Sequence, residues 1–138
     1  MKTDFKYSDL TSRIIGSAME VHSVLGTGFQ EVIYQRALAE EFMLRKIKFH
    51  REQTMKVYYK HKEVGERRVD FLVEGIISVE LKAVVKLEDV HLAQAINYLE
   101  AYNLEVGLLI NFGAKSLEFR RFENKKYKQT NLHNVINV

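Results

Sequence analysis

Arg68-Val69-Asp70-Phe71-Leu72-Val73-Glu74-Gly75-Ile76-Ile77-Ser78-Val79-Glu80-Leu81-Lys82-Ala83 is the stretch on which the reading of this 138-residue chain turns. Two apolar runs, 69–73 and 76–85, flank Glu74-Gly75 and read as the strands of an antiparallel hairpin. Three charges interrupt them: Asp70 in the first, and Glu80 and Lys82 two apart in the second. Side chains alternate along a strand, so Glu80 and Lys82 share one face, and Val79 and Leu81 the other. A two-residue turn would set Asp70 opposite Val79 and separate the acids. A three-residue turn, Glu74-Gly75-Ile76, sets Asp70 opposite Glu80. Gly75 can supply the positive φ that such a turn needs, and this second register is the one expected.

Two carboxylates side by side on a buried strand repel and lose hydration, which costs several kcal/mol unless a cation lies between them. Oxygen donors of this kind suit Mg²⁺ or Mn²⁺, and the neighbouring ammonium can hold a water or offset developing negative charge. The plain alternative is a structural ion pair of Asp70, Glu80 and Lys82 on a solvated sheet face. The remainder of the chain bears on that choice.

The length suits one domain spanning 1–138 with a sizeable core. At 46% hydrophobic and 28% charged residues it has the composition of a soluble globular protein. No apolar run approaches the roughly 20 residues of a membrane span, and Met1-Lys2-Thr3-Asp4-Phe5-Lys6 is unlike a signal peptide. There is no cysteine, which excludes disulfides and thiolate metal sites and leaves oxygen or histidine as metal donors. The cytoplasm is the expected compartment. The net charge of +3 permits a nucleic-acid partner without requiring one. Arg120, Arg121, Lys125, Lys126 and Lys128 crowd towards the C-terminus, as a basic surface or as a solvated tail over 123–138.

The chain lacks proline, repeats and linkers. Residues 8–25 carry a helical stripe of Leu10, Ile14, Ala18, Val21 and Leu25, with Ser8 or Asp9 able to cap it. His22 borders that stripe, where a histidine is more often packed than ligating. Gly26-Thr27-Gly28 breaks the helix, and a second is expected over about 30–46. There Glu31 heads the face of Tyr34, Leu38 and Phe42, although a glutamate in a first turn also compensates the helix dipole. A strand over 53–60 precedes the hairpin. A third helix, opened by Leu87-Glu88-Asp89 and running to about Tyr102, has Leu92, Ala95, Ile96 and Leu99 as its core stripe. Gln94 and Tyr98 form an i, i+4 pair on another face. Strands over 106–112 and 117–122 follow. The expected order is α-α-β-β-β-α-β-β, an α/β (α+β) fold with a mixed central sheet flanked by helices.

With these elements in place, the chain resembles the PD-(D/E)xK nuclease superfamily, whose restriction-endonuclease-like core is α-β-β-β-α-β. More closely it resembles the small GxxExxY proteins of that superfamily. Their motif stands here as Gly28-Phe29-Gln30-Glu31-Val32-Ile33-Tyr34. Asp70 and Glu80-Leu81-Lys82 match the superfamily's acid and its (D/E)xK. Gln94-Ala95-Ile96-Asn97-Tyr98 matches the Gln-x-x-x-Tyr of RecB-like nucleases. The resemblance runs from about Ile14 to Phe122, within a core of about 8–122. Val69 stands where the superfamily commonly has proline.

The resemblance implies a metal-dependent nuclease acting on DNA. Asp70 and Glu80 would bind Mg²⁺ (or Mn²⁺), with the backbone carbonyl of Leu81 and Glu31 as further ligands. Lys82 would orient the attacking water. Gln94 and Tyr98 would position Lys82 or touch the nucleic-acid backbone, with Tyr34 as a further supporting residue. The competing reading is a catalytically silent nuclease-fold module that binds nucleic acid or a protein; a weaker one is an oligomerisation scaffold with the acids in ion pairs. So small a chain has little beyond the core to clamp a duplex, which leaves room for a homodimer or a protein partner.

Overall fold

A computed structural model describes residues 5–129. Three helices, α1 (Ser8–Leu25), α2 (Glu31–Leu44) and α3 (Asp89–Ala101), flank a five-stranded sheet of β1 (Phe49–Tyr59), β2 (Lys62–Val73), β3 (Ile77–Lys82), β4 (Val106–Asn111) and β5 (Glu118–Glu123). The strands lie in chain order. All neighbours are antiparallel except β3 and β4, which run parallel because α3 crosses over between them. This is the helix-flanked mixed sheet that the resemblance implied.

β4 is buried along its whole length, which is why its residues read as one apolar run. Val106, Leu108 and Ile110 join Phe71, Val73, Ile77, Val79 and Leu81 in the core beneath α1 and α2. Leu109 turns the other way and packs with Ala95, Leu99 and Phe122 under α3. Gly107 lets the sheet and β5 approach closely, since a Cβ there would lie 2.8 Å from both the Phe122 ring and Ser78 Oγ.

Several boundaries differ from expectation, each for a local reason. Tyr7, not Ser8 or Asp9, occupies the cap of α1 in a left-handed conformation (φ 61°), and the Thr11 hydroxyl donates to Ser8 O within the first turn. β1 begins at Phe49 rather than Gln53, because Phe49 packs against Phe42 and Phe71 while the polar residues after it reach solvent. β3 stops at Lys82 although the apolar run continues to Val85. The buried side chain of Asn111 captures the backbone there: its Oδ1 accepts from the amides of Val84 (2.9 Å) and Gly113 (3.0 Å), and its Nδ2 donates to Val84 O (2.8 Å) and Glu118 Oε1 (2.8 Å). The basic cluster is not one free patch. The Arg121 guanidinium is bonded to Glu123 and Lys6 O, and Lys126 pairs with Glu100. Residues 130–138 of the expected tail lie outside the described residues.

Asn111 thus fixes where the strand bearing Glu80 and Lys82 ends. Asn111→Ala would leave several buried backbone groups without partners, each worth about 1–3 kcal/mol. We expect a loss of at least about 2 kcal/mol in urea unfolding. An unchanged midpoint would show that water replaces the amide without cost.

Candidate active site

The site begins where a ladder ends. β2 and β3 pair only through Phe71↔Val79, Leu72↔Ser78 and Val73↔Ile77, closed by a Glu74-Gly75-Ile76 turn in which Ile76 N–H donates to Val73 O (2.9 Å). Both Glu74 (φ 55°) and Gly75 (φ 69°) are left-handed. That register sets Asp70 across from Glu80, as expected, but no backbone bond joins them. The Asp70 side chain fills the opening instead. Its Oδ2 accepts from the Leu81 amide (2.8 Å) and its Oδ1 from Gln35 Nε2 on α2 (2.8 Å). β3 stays rigid because its other edge carries an unbroken parallel ladder, 77–82 against 106–111. The N–H and C=O of one strand residue leave by the same edge, so the Leu81 carbonyl also faces the gap.

Around the gap lies a cavity of about 490 Å³ lined by Glu31, Arg67, Arg68, Asp70, Glu80, Leu81, Lys82 and Gln94. Glu31 reaches it as the first residue of α2. Two features of the preceding loop hold it there: Gly28 at φ 102°, and the Tyr34 hydroxyl, which donates to Gly26 O (2.7 Å) and accepts from Phe29 N (3.3 Å). Tyr34 itself is fully buried, stacked on Phe112 at 4.7 Å, and lies outside the cavity lining. His22 lies outside it too, with Nε2 2.9 Å from Ala114 O.

Glu80 is engaged by a residue that the sequence did not single out. One terminal nitrogen of Arg67 donates to both Glu80 carboxylate oxygens (3.0 and 3.2 Å), and the other donates to the Gln94 backbone carbonyl (2.6 Å). The guanidinium lies 5.4 Å above the Tyr98 ring. Tyr98 is buried with its hydroxyl unpartnered among the described residues, and burial pushes that phenol up to about 12. Gln94 and Tyr98 therefore hold Arg67, one by its main chain and the other by its ring.

Burial raises the carboxyls of Glu31, Asp70 and Glu80 above the ordinary range. Mutual repulsion adds to this at Glu31 and Glu80, both beside Asp70. Opposing it are the Leu81 and Gln35 hydrogen bonds at Asp70 and the Arg67 guanidinium at Glu80, while Lys82 lowers all three. Glu52 adds repulsion from β1. It stands at φ 55° between Arg51, paired with Phe71, and Gln53, paired with Val69, and so lies opposite Asp70. A non-glycine residue held left-handed in mid-strand is the kind of strain found beside functional sites.

The donors fit a hard divalent cation in kind: three carboxylates crowded by their own charge, a facing carbonyl, and a buried Gln35 Oε1 that has no donor. They are not drawn together as a cage. Among the described residues no three acids or histidines are close enough to hold a metal. The Arg67 pair gives one reason, since it engages the Glu80 carboxylate. Gln35, Arg67, Arg68 and Glu52 were all missed by sequence reasoning. Gln35 left a signal, because it lies one helical turn beyond Glu31 on the same face.

The crystal structure of SSO0001 is similar to the chain with a TM-score of 0.55 at 14% identity, covering 96% of this chain and 65% of that one. That likeness is one of fold, and the chain spans about two-thirds of the length of its solved neighbour. No curated protein matches. A family model described as the PD-(D/E)XK nuclease superfamily matches residues 8–122, which takes in the α1–α2 loop, the Asp70–Lys82 hairpin and α3. The chain belongs to the PD-(D/E)XK nuclease superfamily.

Proposed function

We propose that the chain is a metal-dependent nuclease that hydrolyses phosphodiester bonds of DNA. The observation that supports this best is the single cavity at the β2–β3 fork, where Glu31, Asp70, Glu80 and Lys82 converge from three elements. An ion-paired sheet face would leave these groups in solvent. Here the acids are partly buried at the price of raised carboxyls, an arrangement typical of sites that act on something.

Glu31, Asp70 and Glu80, with the Leu81 carbonyl, would hold Mg²⁺ or Mn²⁺. Such an ion, when bound, supplies charge neutralisation and a water acidic enough to be used near neutral pH. The chain's own residues do the rest. Asp70 is held by two hydrogen bonds and keeps lone pairs directed at the cavity. Lys82, two residues past Glu80 on a rigid strand, orients the attacking water and offsets charge on the phosphate oxygens. Water adds to phosphorus and the opposite P–O bond breaks, leaving a phosphate on one fragment and a hydroxyl on the other. Release of Glu80 by Arg67 would give that carboxylate wholly to the metal, and the freed guanidinium is placed to meet a backbone phosphate. The Arg67–Glu80 pair also favours a second reading, a silent DNA-binding module in which the guanidinium permanently takes the cation's place.

Cleavage of circular, linear and single-stranded DNA in Mg²⁺, Mn²⁺ or EDTA separates the two readings. We expect metal-dependent cutting by the wild type and a loss of about 10²-fold or more in Lys82→Ala, the scale of removing one charge-stabilising group. No cutting by the wild type with either metal would leave the binding module.

The raised carboxyls give a second test. Just above the ordinary carboxylate range, Glu31, Asp70 and Glu80 keep protons more readily in the folded chain than in the unfolded one. Stability in EDTA should therefore fall as pH rises from the ordinary carboxylate range, 3.8 for Asp and 4.5 for Glu, through the raised values. Mg²⁺ binds only the ionised groups, so it should restore stability at pH 8, by about 2.7 kcal/mol at a hundredfold excess over Kd, and do little near pH 4. Equal melting temperatures in Mg²⁺ and EDTA at pH 8 would contradict the metal assignment.

A further inference from the structure

The outer halves of β1 and β2 form a ribbon that the nuclease core does not explain. Every residue from Lys56 to Glu66 is exposed, so neither face of this part of the hairpin is covered by the described residues. A bare two-stranded ribbon is marginal in water, yet this one is tied down at its base. The Tyr102 hydroxyl on α3 donates to Lys56 O (2.8 Å), and Arg67 is fastened to Gln94 and Glu80. Its tip reads Lys56-Val57-Tyr58-Tyr59-Lys60-His61-Lys62, with three lysines, two tyrosines and no acid. Tyr58 and Tyr59 are 59% and 63% exposed. As consecutive strand residues they point to opposite faces of the ribbon. Lys56 pairs with Glu63 (3.7 Å), Lys60 lies 5.4 Å over the Tyr59 ring, and Lys60 and Lys62 have no acidic partner among the described residues. Between Lys56 and Arg68 there are five Lys or Arg against two Glu.

We infer that this arm is a binding surface for single-stranded DNA adjoining the cleavage site, an inference that rests on the nuclease reading above. Exposed tyrosine rings interleaved with lysines match unstacked bases on a polyanionic backbone, because every base offers a face to stack and every phosphate a charge. A duplex offers the phosphates but keeps its bases stacked, so it could use the lysines and not the tyrosines. The arm is continuous with the cavity. β2 runs from Lys62 at the tip, past Arg67 and Arg68 on the cavity wall, to Asp70, eight residues or about 26 Å of extended strand. The same strand would thus hold the substrate at one end and present the acid at the other.

The test is fluorescence anisotropy of the full chain in EDTA with a labelled single strand of about 30 nucleotides and a duplex. Melting curves check that the variants fold. Tyr58→Ala/Tyr59→Ala should weaken binding of the single strand about tenfold or more, with little effect on the duplex. Tyr58→Phe/Tyr59→Phe should bind as the wild type does, because the rings remain. Lys60→Ala/Lys62→Ala should reduce the slope of log K against log salt by about 1.4, or about 0.7 for each phosphate no longer neutralised. Unchanged affinity in the alanine variants, with the wild type still binding, overturns the arm alone. Equal weakening on duplex and single strand overturns the single-strand assignment. Loss of a dimer by light scattering with DNA affinity unchanged makes the arm an interface between copies and overturns the proposal. Wild type that neither binds DNA in EDTA nor cuts it in Mg²⁺ or Mn²⁺ removes the nuclease reading itself.

Discussion

The Asp70 carboxylate stands where a strand ladder should continue. By accepting the Leu81 amide at 2.8 Å it satisfies a backbone donor that would otherwise be orphaned in the gap between β2 and β3. The two strands can therefore part without stranding a polar group, and the cavity is the space left by their parting. The hydrogen bond between Leu81 and Asp70 thus holds the opening and also sets an acid inside it. The parallel ladder to β4 supplies the stiffness that lets β3 stay straight with one edge released, and Asn111 decides where that strand gives way to loop.

Charge balance decides the condition of the site. Burial and mutual repulsion work against three ionised carboxyls, while Lys82, Arg67 and the hydrogen bonds at Asp70 work for them. Arg67 is the most direct of these, bonded to both Glu80 oxygens through a side chain that is mostly shielded from water. A guanidinium and a divalent cation would compete for that one carboxylate. Removing one partner of the pair leaves the other less compensated, so each cation in effect guards against the absence of the other. Tyr98, beneath the guanidinium, and the Gln94 carbonyl keep Arg67 nearby in either state.

Much of this was legible in the chain. The glycine in Glu74-Gly75-Ile76 fixed the register, and alternation then placed Asp70 across from Glu80. Glu31 and Gln94 were assigned to the site only by the motifs of the resemblance, and both line the cavity. Arg67 and Gln35 stayed hidden for one physical reason: both act through partners distant in sequence. Arg67 carries no local signal in the sequence, and only the approach of α3 reveals what holds it. Gln35 was not singled out, and the fold puts it against Asp70. Tyr34 lay on the face of Glu31 by periodicity, yet its hydroxyl secures the loop that aims Glu31. β2 was recognised only in its apolar half, because a ribbon exposed on both faces carries no period to read.

Calorimetric titration of Mn²⁺ into the metal-free wild type, Asp70→Asn and Arg67→Ala tests most directly whether the fork is a cation site contested by Arg67. We expect measurable binding by the wild type, weakened at least tenfold in Asp70→Asn. Arg67→Ala, whose Glu80 has no competing guanidinium, should bind more tightly. Equal heats from all three proteins, or no binding by the wild type, would contradict this and leave the buried acids as parts of an ion-pair scaffold.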